Sequence, residues 1–158
     1  MKVKYKEVES ISEFIDAVRI RVDVFIIEQK CEPGWEPDEE DKVSRHFIAI
    51  ADGKVVSTLR IRELEDGIKI ERMATRKEYR GMDIGRGLIE FVLKEIKKLK
   101  PKRIWMEAQV QAQGFYKKIG FKVISEQYDL WNTGILHIKM EYLTSNILTS
   151  YYLAVWAP

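Results

Sequence analysis

The chain has 158 residues, a length suited to one domain, and its 46% hydrophobic content with only 4 prolines excludes intrinsic disorder. Its 27 Lys+Arg against 25 Asp+Glu leave a net charge of +2, without the basic excess of a general nucleic-acid binder, so no nucleic-acid partner is expected. A single cysteine, Cys31, excludes an internal disulfide framework, and with His46 and His137 far apart no metal site is expected.

The lysines of residues 1–6 precede no apolar run, and no stretch approaches the roughly 18 apolar residues of a membrane span. A cytoplasmic protein with no membrane partner is expected. Ser10-Ile11-Ser12-Glu13 reads as a capping box, and Ile11, Phe14, Ile15, Val18, Val22 and Phe25 recur at spacings of three and four behind it. The spacing predicts a helix to about Phe25 with that stripe as its apolar face. Residues 30–45 hold Pro33, Gly34, Pro37 and a run of acids around Trp35, and neither period survives there, so they read as a loop.

Residues 46–50 and 54–62 flank Asp52-Gly53 as an antiparallel hairpin, and Asp66-Gly67 turns into a strand at 68–75. From Ile84 the period lengthens: Ile84, Leu88, Phe91, Val92, Ile96 and Leu99 mark a helix ended by Pro101. A strand at 103–108, a short helix closed by Gly120, and strands at 121–127 and 135–142 follow. The crossover from 68–75 to 103–108 makes that pair parallel, so the fold class is α/β (α+β): a mixed central sheet of six to seven strands with helices on its faces.

The most informative stretch is Tyr79-Arg80-Gly81-Met82-Asp83-Ile84-Gly85-Arg86-Gly87. A glycine-bearing turn that opens a helix leaves backbone N–H groups unpaired at the positive end of the dipole, and Arg80, Arg86 and Lys77 add charge. Those are the parts of a phosphate cradle. The stretch also resembles the acetyl-CoA motif of the GNAT acetyltransferase superfamily, Arg/Gln-x-x-Gly-x-Gly/Ala, with Asp83 standing where the first motif glycine is expected. Gln109, Ala112, Phe115-Tyr116 and Gly120-Phe121 resemble the second segment of that family, with Gln in place of Asn. Arg21-x-x-Val24-Phe25-x-x-Glu28-Gln29-x-Cys31, Glu36-x-Asp38-x-x-Asp41, His46 and Gly134-Ile135-x-His137-Ile138-x-Met140 are similar to the ElaA-like subfamily, over most of residues 1–142.

The resemblance implies a GNAT-like fold, with a splay between strands 68–75 and 103–108, and acetyl-CoA as co-substrate. Backbone groups of Met73, Ala74 and Thr75 would pair with the pantetheine, and Arg80, Gly81, Met82, Asp83, Ile84, Gly85 and Arg86 would cradle the pyrophosphate, with Gln109 near the pantetheine arm. It implies direct attack of a primary amine, from a small molecule or peptide, on the thioester. Tyr116 takes the place of the acid that protonates the thiolate. Glu71 is the first candidate for the base, ahead of Glu28, Glu107 and His46. Glu28, Trp35, Asp38, Asp41 and His46 are candidates for acceptor binding, the acids by attraction for a cationic amine. Cys31, beside acids that oppose a thiolate, is a poor nucleophile.

Two other readings stand beside this one. Arg-x-x-Val-Phe and the acidic segment are also similar to acyl-homoserine lactone synthases, which use acylated carrier protein; Asp83 also leaves room for a non-catalytic CoA-binding protein. Residues 143–158 carry no charge but contain Tyr151, Tyr152 and Trp156. They are expected to pack on the 1–142 domain or to form a homodimer interface.

Overall fold

A computed structural model describes residues 1–143. The expected packing of the aromatic tail therefore lies, from residue 144 on, outside the described residues. The chain forms two compact units, residues 1–62 with 70–99, and residues 63–69 with the chain from Lys100 on.

The first unit opens with β1 (Val3–Glu7), which pairs antiparallel with β2 (Arg45–Ala51), Val3 facing Ala51 and Glu7 facing Phe47. Sequence reading missed β1, because its alternating lysines looked like a polar terminus rather than the outer row of a strand. The hairpin of β2 and β3 (Lys54–Leu64) is as expected, with one register shift between Ala49 and Ile50. β4 (Gly67–Thr75) starts in the second unit and ends in the first. α2 (Ile84–Lys98) buries Ile84, Leu88, Val92 and Ile96 as its periodicity marks, together with Ile89 and Leu93, while Phe91 is half-buried and Leu99 exposed.

α1 (Ile11–Arg21) departs from expectation twice. Ser10 does cap it, its hydroxyl accepting from the N–H of Glu13, while the Glu13 carboxylate accepts from the N–H of Glu9 at 2.8 Å. The helix ends at Arg21, however, and a π-helical turn carries the chain from Val22 to Glu28, with the N–H of Gln29 donating to the carbonyl of Val24. The β-branched run Val22, Val24, Ile26, Ile27 crowds a regular α turn, and the wider turn relieves it. The buried face is also a different one: Ala17, Ile20 and Arg21 point inward, continued by Val24. Ile11 is 80% exposed, and Phe14, Ile15, Val18 and Val22 line an open groove of about 300 Å³ with Pro37. Both faces of α1 are apolar enough to be buried, and the inward one hides an arginine that looks polar in sequence.

In the second unit β4 and β5 (Ile104–Gln109) run parallel, through Ile68 with Ile104 and Lys69 with Trp105. A short α3 (Gln113–Ile119) is closed by left-handed Gly120 at φ 116°. β8 (Leu136–Tyr142) pairs antiparallel with β5 and with β6 (Phe121–Val123). The strand expected at 121–127 stops at Val123, since the Ser125 hydroxyl takes the N–H of Lys139 that a continuing ladder would use. The chain returns to β8 as β7 (Tyr128–Asp129), bringing the strands among the described residues to eight. That count exceeds the six to seven read from sequence by the missed β1 and this split.

Candidate functional site

The turn before α2 has the geometry its sequence suggests. Arg80 is extended at ψ 152°, Gly81 has φ 74°, and Asp83 is left-handed at φ 56° and ψ 8°. An added Cβ on Gly81 would meet nothing within 4 Å, so its glycine is required by the backbone angle and keeps one side of the turn open. No side chain caps α2 at Asp83, and the first intrahelical bond runs from the N–H of Gly87 to the carbonyl of Asp83. The N–H groups of Ile84, Gly85 and Arg86 have no partner within the helix, and the positive end of a helix 15 residues long lies behind them. A diphosphate fits such a set of donors.

The cations around the turn have partners of their own. Arg80 donates through both terminal nitrogens to the Glu28 carboxylate, at 2.9 and 2.8 Å, and through Nε to the carbonyl of Thr75 at 3.0 Å. Glu28 thus lies on the arginine of the motif, which holds its carboxyl below the usual carboxylate range. Arg86 pairs with Glu90 along the helix. Met82 is exposed, and Met73, Ala74 and Thr75 follow one another on β4, where the Ser57 hydroxyl donates to the carbonyl of Ala74 and bonds the Thr75 hydroxyl at 2.8 Å.

Residues 30–45, read as a loop, hold a 3₁₀ turn at Glu39–Val43 and turn Glu36, Asp38 and Asp41 inward, while Glu32, Glu39 and Glu40 stay exposed. Arg21, 1% exposed, donates to Glu36 through Nε at 2.6 Å and to both oxygens of Asp41 at 2.8 Å. Arg60, 2% exposed, reaches Asp41 at 2.7 Å, Asp38 at 2.9 Å and Glu71 at 3.0 Å. Arg62 bonds the other oxygen of Glu71, and Arg72 pairs with Glu36 and Asp38. Burial alone would raise the Asp41 carboxyl, but Arg21 and Arg60 hold it well below the usual range. At Glu36 burial wins and pushes the carboxyl up against the pull of Arg21 and Arg72. Asp38 and Asp41, expected to attract an amine, instead balance arginines inside the first unit.

The base candidates divide in the same way. Both oxygens of Glu71 accept from guanidinium groups, Arg60 on one and Arg62 on the other, which ties the carboxylate into the arginine cluster. Although burial pushes the Glu107 carboxyl up, Lys69 and the Tyr128 hydroxyl bring it below the usual range. Burial pushes the His46 imidazole down and so keeps it neutral; Nε2 faces the carbonyl of Asp41 at 3.1 Å, Nδ1 is buried without a hydrogen bond, and the ring meets Phe14 edge-on. Trp35 is half-buried, its N–H donating to the carbonyl of Glu32. Burial pushes the Cys31 thiol up, away from nucleophilic use.

In the second unit Tyr116 lies on α3, buried between Phe115 and Phe121. Burial pushes its phenol up to about 12, so it carries its proton at neutral pH. Gln109 ends β5 and accepts from the Gln111 side chain. The residues that sequence reading missed are the buried arginines. Arg60 was findable, since it alternates with Leu59 and Ile61 on β3, but its partners lie 11 to 22 positions away.

The sequence profile of the acetyltransferase (GNAT) domain family matches residues 15–144. The uncharacterized N-acetyltransferase YjcF of Bacillus subtilis is 32% identical over 126 residues, covering 79% of this chain and 89% of YjcF. ElaA of Escherichia coli is 29% identical over 137 residues, covering 83% of this chain and 88% of ElaA. The crystal structure of E. coli ElaA superposes with a TM-score of 0.79 at 25% identity, over 90% of this chain and 100% of ElaA. A PaiA N-acetyltransferase from Thermoplasma acidophilum, solved in complex with coenzyme A, shares the fold at a TM-score of 0.71 and 17% identity, over 91% of this chain and 100% of its own.

Proposed function

The chain belongs to the acetyltransferase (GNAT) family, and from that premise we propose that it transfers the acetyl group of acetyl-CoA to a primary amine of a small molecule or peptide. The observation that carries the proposal is the turn at 80–87: left-handed Gly81 and Asp83 deliver the uncapped N–H groups of Ile84, Gly85 and Arg86, with Arg80 and Arg86 alongside. These residues would hold the pyrophosphate, and the backbone of Met73, Ala74 and Thr75 would take the pantetheine, with Gln109 assigned to the same arm. The complex of PaiA with coenzyme A, a protein of the same fold, supports the choice of ligand. Acetyl-CoA supplies an activated thioester.

In the proposed reaction the amine nitrogen bonds the thioester carbon, the C–S bond breaks with its electron pair on sulfur, the nitrogen gives up its proton to water, and water returns one to Tyr116 once that phenol has protonated the thiolate. Tyr116 would supply a proton to the departing thiolate: burial keeps the phenol protonated, and it releases its proton only as negative charge builds on sulfur. No step is assigned to Glu71, whose carboxylate is shared between Arg60 and Arg62. Of the acceptor-side residues, Trp35 remains assigned to the amine, while Glu28 is held by Arg80 at the cradle and Asp38, Asp41 and His46 lie within the packed cluster.

The test is release of free thiol from acetyl-CoA across a panel of primary amines, alongside CoA binding by calorimetry. Amine-dependent thiol release is expected. Binding without turnover would make the protein a CoA-binding GNAT homologue without catalysis, and turnover only with acylated carrier protein would make it a synthase of the lactone-forming kind. Absence of CoA binding would overturn the reading.

A further inference from the structure

In a regular strand, consecutive side chains point to opposite faces. Glu71 and Arg72 are consecutive on β4, yet both reach the same cluster: Glu71 accepts from Arg60, and Arg72 donates to Asp38, which Arg60 also binds. This happens because Arg72 is left-handed at φ 53° inside the strand, a conformation rare for a long side chain and the mark of a bulge. The guanidinium is engaged on two sides: Nη2 donates to Asp38 at 2.8 Å, and Nε lies 2.7 Å from a Glu36 oxygen as an ion pair without hydrogen-bond geometry. Its anchors are themselves fixed, Glu36 by buried Arg21 and Asp38 by buried Arg60.

The next three residues are Met73, Ala74 and Thr75, the edge assigned above to the pantetheine. We propose that Arg72 is a positioning residue for acyl-CoA binding: its side chain, clamped by Glu36 and Asp38, holds the bulge that sets the backbone of residues 73–75. The proposal rests on the functional reading for its ligand, while the clamp rests on geometry alone. It ties the acidic segment at 36–41 to the donor-binding edge, so that segment shapes the site without touching substrate.

Arg72→Gly removes the clamp without straining φ 53°, and because glycine also frees the backbone, the clamp stands only if Asp38→Asn, which leaves residue 72 in place, moves the same quantities. Asp38→Asn weakens the clamp from the other side. The measurements are amide hydrogen exchange of residues 73–75, calorimetric CoA binding, and the split between KM for acetyl-CoA and kcat, with thermal melting to confirm that each variant is folded. Arg72→Gly is expected to speed exchange at 73–75 and to weaken CoA binding and raise KM on the order of tenfold, with kcat nearly unchanged. Asp38→Asn should move the same quantities in the same direction by less. Unchanged exchange in a folded Arg72→Gly protein would overturn the clamp, and faster exchange with unchanged CoA affinity would overturn its role in positioning. A wild-type protein that binds no CoA, with exchange still faster in the variant, would overturn the functional reading and the positioning role with it, leaving only the clamp.

Discussion

Asp83 turns the chain left-handed where the family motif carries glycine, and it does so without capping α2 through its side chain. Its carboxylate is therefore free of the structural duty that would protect it, and it sits beside the donors assigned to two phosphates. Like charges about 6 Å apart repel by roughly 1–3 kcal/mol before screening, and solvent reduces that at an exposed turn. Asp83→Gly should tighten CoA binding by about threefold at low ionic strength, with the gain shrinking as salt is added. Calorimetry at two salt concentrations decides it; weaker binding would mean that the carboxylate orders the turn. Tyr116→Phe keeps the buried ring and removes the proton, so kcat should fall about 10²–10⁴-fold with CoA affinity little changed. Steady-state kinetics with a good acceptor checks this, and equal turnover would remove Tyr116 from the chemistry.

Among the elements, α2 and the β2–β3 hairpin were legible in the sequence because each has one apolar face and a clear punctuation, Pro101 or Asp52-Gly53. α1 was half legible: its N-cap could be read, but it stops at Arg21 rather than near Phe25, and of its two apolar faces the one with Arg21 is buried, an arginine visible only through partners 15 to 20 residues away. The acidic segment was read as a loop whose acids attract an amine for the same reason, since its counter-charges lie on α1, β3 and β4. Contacts between elements impose further limits that spacing does not show. Gly87 on α2 faces Tyr5 of β1 so closely that an added Cβ would lie 2.1 Å from the phenol oxygen and 2.5 Å from Cζ. Tyr5 is stacked on Phe91 one turn along the helix, a contact it would have to disturb to make room. Gly87→Ala should therefore destabilise the fold by about 1–3 kcal/mol, the cost of overpacking. Adding Tyr5→Phe removes the nearest atom and should recover part of the loss; a double-mutant cycle in urea reads the coupling. Additive effects in that cycle would sink the contact.

At the scale of the whole molecule, the family and the order of elements were readable from motifs and periodicity, whereas the buried ion cluster of the first unit was not, because it consists entirely of pairs distant in sequence. That cluster makes stability depend on pH. Asp41 touches both Arg21 and Arg60, and its folded carboxyl lies well below the value near 3.9 of an unfolded aspartate. A depressed folded pKa contributes stability that is fully present above the unfolded value and is lost as pH falls toward the folded one. Asp38, Glu7, Glu13 and Glu107 are depressed as well and add in the same sense. Glu36, raised by burial, has the opposite sign: its protonation favours the folded state as pH drops and offsets part of the loss. His46, depressed by burial, also costs stability once pH falls below the roughly 6.5 of an unfolded histidine, so the urea midpoint of the wild-type protein should begin to slip there and fall more steeply below about pH 4. Asp41→Asn leaves two buried guanidinium groups short of a counter-charge, so it should cost about 3 kcal/mol at pH 7. The same substitution removes the group that titrates, so the variant's stability should decline less steeply into acid and the two curves should converge. Parallel curves for wild type and Asp41→Asn from pH 7 to pH 3 would show that Asp41 is not the group through which acid reaches the cluster.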